Sequence, residues 1–132
     1  MKLLFDSSSI INLCTERKIE GLLEGWTLNL AFYEIGNAIW KQVHLHRALT
    51  PEEGSEALDA LTEVLKKMRE APIEDASAIL NIAIGEGLTY YDASYIHAAI
   101  KNGAALVTDD KKLHSIANKY VETITSEELN RF

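Results

Sequence analysis

Short apolar runs alternate along this chain with longer stretches whose apolar residues recur every three or four positions. The two patterns are those of buried strands and amphipathic helices. Residues 2–5 read as a short buried strand, after which Ser7, Ser8 and Ser9 offer capping hydroxyls to an apolar-periodic segment through Cys14. Residues 26–30 alternate in strand fashion. A helix from about Phe32 follows, with Ile35, Ile39 and Val43 along one face. Thr50-Pro51-Glu52-Glu53 is a strong helix start, a capping box with proline at the first helical position. Ala57, Leu58, Leu61, Val64, Leu65 and Met68 form the stripe of that helix, and Pro72 is expected to break it. The next helix carries Ile79, Leu80, Ala83 and Ile84, with Gly85 and Gly87 as its expected stop.

The last third is the most regular. Thr89 caps a helix bearing Asp92, Tyr95, Ile96, Ala99 and Ile100, and Asn102-Gly103 ends it. Residues 104–107 form a buried strand, and Asp109 or Asp110 opens a helix through Leu113, Ile116 and Ala117. Residues 121–124 read as a final strand and residues 126–129 as a terminal helical turn. Strand–helix alternation without hairpin signals predicts an α/β fold: a short parallel sheet of four to five strands flanked by helices. Residues 1–132 are expected to form one domain.

Composition changes this picture little. Cys14 is the only cysteine, which excludes a disulfide framework and a cysteine zinc cluster. Apolar neighbours mark it as a buried thiol used as a small hydrophobe. No apolar stretch approaches a membrane span and no signal-peptide pattern opens the chain, so a soluble cytoplasmic protein is expected. The net charge of −7 argues against non-specific nucleic-acid binding by the whole surface. It leaves room for a local basic rim.

The chemistry lies in four isolated acids, Asp6, Glu34, Asp92 and Asp110, each where an apolar run ends or a helix begins. Ligands of open α/β sheets bind outside the carboxyl ends of the strands, where such positions gather. Taken singly, Asp6 and Asp110 read equally as helix caps and Glu34 as a favourable first-turn charge. Asp92 shares a helical face with Ile96 and Ala99, so it should point toward the core, where an unpaired carboxylate is costly. Gathered within ~5 Å, each pair of like charges would cost roughly 3 kcal/mol at an effective dielectric near 20. A divalent cation relieves that cost. Hard oxygen ligands without histidine or cysteine suit Mg²⁺ or Mn²⁺ rather than zinc. Such sites hold substrate phosphates for in-line phosphodiester attack.

Other residues carry weaker signals. Lys41, Arg47, Lys111 and Lys112 read either as a path for nucleic acid through phosphate contacts or as solvated helix charges. His44 and His46 are two apart on a helix and face different ways. His97 and His114, like Trp26 and Trp40, read as packing or surface positions.

Phe5-Asp6-Ser7-Ser8, Glu34-Ile35-Gly36-Asn37, Tyr91-Asp92-Ala93-Ser94-Tyr95 and Val107-Thr108-Asp109-Asp110 resemble the successive motifs of PIN-domain ribonucleases. The likeness is greatest to the VapC-like toxins of type II toxin–antitoxin pairs. It covers essentially the whole chain, and the ordered set is more specific than any one motif. The resemblance implies a Rossmann-like, three-layer PIN fold and Mg²⁺- or Mn²⁺-dependent endoribonuclease activity on RNA. It further implies a homodimer held inactive by a small antitoxin. Asp6, Glu34, Asp92 and Asp110 match the family's acidic quartet, which serves as metal ligands and catalytic acids; Ser8, Asn37 and Thr108 match its polar supports. Asp109 competes with Asp110 for the fourth role, and Asp110 fits because it stands two residues after Thr108. Two other classes stay open: a catalytically silent PIN-type binding module, and a receiver-like phosphoacceptor. The second is disfavoured because receiver domains place adjacent acids after the first strand, where this chain has three serines.

Overall fold

A computed structural model describes residues 1–73 and 75–129. The chain runs β1 (Leu3–Phe5), α1 (Ser7–Thr15), α2 (Glu20–Leu23), β2 (Trp26–Thr27) and α3 (Leu30–Trp40). After α3 a π-helical turn (Lys41–Leu45) leads to α4 (Pro51–Lys67), β3 (Arg69–Glu70), α5 (Ala76–Glu86) and α6 (Tyr90–Asn102). Then come β4 (Ala105–Val107), α7 (Lys111–Ala117), β5 (Thr123–Ile124) and α8 (Ser126–Leu129).

The five strands form one parallel sheet in the order β3-β2-β1-β4-β5. The chain builds outward from β1 through β2 to β3, then returns to the other side of β1 with β4. That reversal makes the gap between β1 and β4 the topological switch point, where α/β sheets open a crevice at their carboxyl ends. Asp6 and Thr108 are the residues that leave those two strands.

Strand alternation divides the core. Leu4 and Leu106 face a cluster with Leu28, Tyr95, Ile96, Ala99 and Leu113. Phe5 and Val107 face the opposite cluster, with Ile10, Leu13, Leu22, Ile35 and Leu61. Helices α6 and α7 therefore cover one face and α1, α3 and α4 the other, in three layers. Strands β1 and β4, at the centre of the sheet, bury both faces, as parallel sheets require. The capping box forms as the sequence implied: Thr50 Oγ1 accepts from the Glu53 N–H at 3.1 Å and Glu53 accepts from the Thr50 N–H at 2.9 Å. Gly87 and Gly103 end α5 and α6 with φ of 67° and 60°, a left-handed backbone that glycine adopts without strain.

Several boundaries differ from the sequence reading. Strand β2 stops at Thr27, because the Leu28 and Asn29 carbonyls already accept from Ala31 and Phe32 in the turn that starts α3. Helix α4 ends at Lys67, with Met68 extended, so Pro72 does not break it but lies beyond β3. Strand β3 itself has no apolar signature: Arg69 and Glu70 are exposed, a charged edge of the kind that discourages edge-to-edge pairing. Helix α5 passes through Gly85 and stops only at Gly87. Helix α2 and the π-helical turn were not legible. Asp110, not Asp109, is the N-cap of α7. No described helix is long and apolar enough to cross a membrane.

Candidate active site

Asp6 is fixed as it leaves β1. Its N–H donates to the Val107 carbonyl at 3.2 Å, stitching the ends of β1 and β4 together. Its carboxylate is buried. Oδ1 accepts from the Ser9 N–H at 2.9 Å and the Ser8 hydroxyl at 2.8 Å, and Oδ2 accepts from the Thr108 hydroxyl. Burial pushes the Asp6 carboxyl above its ordinary value, while the bonds from Thr108, Ser9 and Ser8 pull the other way. Those hydroxyls also act as acceptors. Thr108 Oγ1 takes the Asp110 N–H at 3.1 Å, and Ser8 Oγ takes the Asp109 N–H at 3.0 Å. Through these two side chains the position of Asp6 sets that of the 108–110 turn.

The turn sorts its adjacent acids. Asp109 Oδ1 accepts from the Ser126 N–H at 2.8 Å, and Oδ2 accepts from the Ser126 hydroxyl at 2.6 Å and the Asn12 amide at 2.7 Å. Both its oxygens are therefore spent on tying α8 and α1 to the turn. Asp110 is exposed and caps α7, with Oδ1 accepting from the Leu113 N–H at 2.8 Å. Its charge is felt at Asp92.

Glu34 and Asp92 come from helices in opposite layers. Asp92 sits in the first turn of α6, where its N–H is capped by Thr89 Oγ1 at 3.1 Å. Its side chain is half-buried rather than aimed into the core. The reason is its place at the helix start, level with the strand ends. Burial raises its pKa first; the Asp110 and Asp6 charges raise it further and Lys112 opposes them. Glu34, half-buried on α3, is raised by burial and by Asp92 and Asp6, against hydrogen bonds from Tyr95 and Ser7. The Tyr95 hydroxyl donates to Glu34 Oε1 at 2.7 Å. Burial and the Glu34 carboxylate push that hydroxyl well above its ordinary value, so it remains a donor.

The structure thus draws Asp6, Glu34, Asp92 and Asp110 into one electrostatic unit at the switch point. Ser8 and Thr108 bind Asp6 directly. Asn37, one turn beyond Glu34 on α3, is exposed. Lys112 stands near Asp92 and donates to the Gly87 carbonyl at 3.2 Å. Lys111 lines a cavity of about 200 Å³ with Thr108, Asp110 and His114. Lys41 and Arg47 are exposed at and just beyond the π-helical turn, with no described contact to the four acids. Tyr95 was missed as a site residue because it fits the apolar stripe of α6; its polar tip, one turn from Asp92, was the signal available.

The donor set fits a hard divalent cation: all oxygens, mutually repelling, with neutral hydroxyls rather than lysines or arginines holding the most buried member. Among the described residues, no three His, Cys, Asp or Glu side chains form a ready-made metal cage. Mg²⁺ does not demand one, since it keeps several waters and is held by one or two carboxylates together with substrate phosphates.

A parallel α/β fold that gathers acids at its switch point defines the class of protein, and comparison with known proteins specifies it. The PIN domain family model matches residues 3–119. Ribonuclease VapC3 of Pyrobaculum aerophilum is 36% identical over 138 aligned positions, covering 95% of this chain and 99% of that protein. Exonuclease VapC9 of the same organism is 37% identical over 86 residues, a segment spanning 65% of this chain and 62% of that protein. The crystal structure of PAE2754 from Pyrobaculum aerophilum superposes with a TM-score of 0.83 at 28% identity, covering 98% of this chain and 92% of that one. The chain belongs to the PIN-domain family, in its VapC-like group.

Proposed function

We propose that this chain is a divalent-metal-dependent endoribonuclease and the toxin of a toxin–antitoxin pair. The observation that carries this reading is the approach of Asp6, Glu34, Asp92 and Asp110, from four separate segments, to the switch point, where burial raises the pKa of Asp6 and burial together with neighbouring acidic charge raises those of Glu34 and Asp92. The names of the two Pyrobaculum relatives, a ribonuclease and an exonuclease, support nuclease chemistry.

Asp6, Glu34, Asp92 and Asp110 are the residues that would hold Mg²⁺ or Mn²⁺. The ion would stabilise the charge that builds on the phosphate during displacement. The chain's own contribution is preorganisation. Asp6 is held at both oxygens, Asp110 by its cap and Glu34 by Tyr95, so the carboxylates need little rearrangement to act. Lys112 and Lys111 stand where RNA phosphates approach the pocket, with Lys41 and Arg47 further along α3 and its continuation. Ser8 and Thr108 are supports, Asn37 is an exposed polar group one turn from Glu34, and Asp109 braces the turn.

Membership of the VapC-like group makes a small antitoxin the expected partner, a homodimer the expected assembly and the cytoplasm the expected compartment. A groove of about 400 Å³ between α3 and α4, lined by Phe32, Tyr33, Leu65 and Met68 among others, offers an apolar seat for an antitoxin helix.

Incubation with a circular single-stranded RNA tests the activity, because a circle is opened only by internal attack. Opening with Mg²⁺ or Mn²⁺ that stops in EDTA and falls by orders of magnitude in Asp92→Asn is the expected outcome. Full, EDTA-resistant cleavage by Asp92→Asn would overturn the mechanism. A wild type that binds RNA and leaves every substrate intact would make the domain a silent binding module.

A further inference from the structure

Tyr95 lies one turn beyond Asp92 on α6, and its side chain is 1% exposed. Its ring belongs to the core cluster of Leu4, Leu28, Ile96 and Leu106, yet its hydroxyl reaches out of that core to Glu34 Oε1 at 2.7 Å. The bond joins residues 61 apart in sequence, on helices packed against opposite faces of the sheet. Phenylalanine would fill the same core space. A buried tyrosine hydroxyl needs a partner, and here the partner is one of the four acids.

The other acids are held differently. Asp6 and Asp110 are anchored by donors from their own helix starts, Ser9 and Leu113. Glu34 sits in the second turn of α3, beyond the N–H groups left open at the helix start. Its side chain has three rotatable bonds, and unrestrained it would sample many rotamers. The Tyr95 hydroxyl fastens one carboxylate oxygen.

We propose that Tyr95 is a positioning residue of the metal site: its hydroxyl holds Glu34 Oε1 and, together with the hydrogen bond from Ser7, orients the carboxylate for a divalent cation. This rests on the metal-dependent reading above. Glu34 then reaches the ion preoriented and charged, although it comes from the opposite helical layer to Asp92. Loss of the hydroxyl leaves Glu34 half-buried, where water can take the donor's place, so the fold survives while orientation is lost.

A double-mutant cycle of Tyr95→Phe and Glu34→Gln, read as Mn²⁺ affinity by calorimetry without RNA, tests the proposal. Thermal unfolding of the metal-free proteins and steady-state RNA cleavage accompany it. Tyr95→Phe should weaken Mn²⁺ binding roughly tenfold to hundredfold, the usual effect of removing an outer-shell partner. It should lower kcat with KM for RNA unchanged, and add nothing in the Glu34→Gln background. Wild-type Mn²⁺ affinity in Tyr95→Phe, or an equal loss with and without Glu34, would overturn the proposal. Should Tyr95→Phe fail to fold, Glu34→Asp keeps both functional groups but is too short to reach the hydroxyl. The same loss of Mn²⁺ affinity is then expected, and unchanged affinity overturns the idea. A wild type that binds no Mn²⁺ would overturn the metal reading as well, before any variant is compared.

Discussion

Asp6 and Asp92 lie in one pocket but do different work, and removing each should show it. Asp6 satisfies three donors, the Ser9 N–H and the hydroxyls of Ser8 and Thr108. Asp6→Ala strips the cap from α1 and leaves those donors buried, at a cost of about 2 kcal/mol. Asp92 accepts none of the described hydrogen bonds and carries repulsion from Asp110 and Asp6. Asp92→Asn should therefore leave the metal-free protein as stable as wild type or more so. The effect has a pH signature. Below the ordinary aspartate value of 3.8 the carboxyl is protonated whether the chain is folded or not. As pH rises through the raised folded value, the unfolded chain ionises first and wild type loses stability. Melting in EDTA across pH should show the Asp92→Asn advantage smallest near pH 3.8 and largest near neutrality. An advantage that does not change with pH would mean the Asp92 charge is unstrained. Asp6, Asp92 and Asp110 drew notice in the sequence because each falls where an element begins or ends, whereas Glu34 lies a turn inside α3. Asp109 and Asp110 were harder to tell apart. Their local signals are equal, and the choice is made by Ser126 and Asn12, 17 and 97 residues away.

The elements divide along the same line between local and distant causes. Helices α4 and α6 carry their caps and stripes within their own residues, so their starts were readable, and α6 also ends on its own glycine. Strands β2 and β3 have two residues each, too few for any period. They exist because β1 offers an edge on which they can add in turn. The π-helical turn after α3 is equally non-local: it packs against α4 at Gly54, where a Cβ would stand 2.6 Å from Val43 Cγ2 and 3.4 Å from Ile39 Cγ2. Valine in a helix has essentially one rotamer and cannot swing aside. Gly54→Ala should push α4 off the α3 arm and cost about 1–3 kcal/mol. Gly36, inside α3 beside the site, has nothing within 4 Å of its would-be Cβ. There alanine should add up to about 1 kcal/mol by helix propensity alone. Thermal unfolding of the two variants should move in opposite directions, and a shared direction would contradict the packing described.

At the scale of the whole molecule, a net charge of −7 and a pocket of strained carboxylates bias the protein toward cationic partners. RNA is a poor match for that surface and needs the metal and a few lysines to approach. A proposed antitoxin has the opposite fit. Its tail should place an arginine among Asp6, Glu34, Asp92 and Asp110, because a planar guanidinium can bridge two carboxylates and relieve the same repulsion that an ion would. Its apolar residues should lie in the α3–α4 groove, where Phe32 and Tyr33 meet edge to face at 5.2 Å and are both exposed. The two contacts predict different responses. Arginine-to-alanine changes in the tail should weaken the complex by about 2–5 kcal/mol, the cost of breaking a buried charge pair, and restore RNA cleavage. Phe32→Glu should weaken the complex through the groove while leaving the four acids untouched, so the free variant still cleaves RNA. Binding and cleavage measured on the co-purified pair check both. If the arginine changes leave affinity and inhibition intact, the inhibitor does not reach the acids, and control works by another route such as blocking dimerisation.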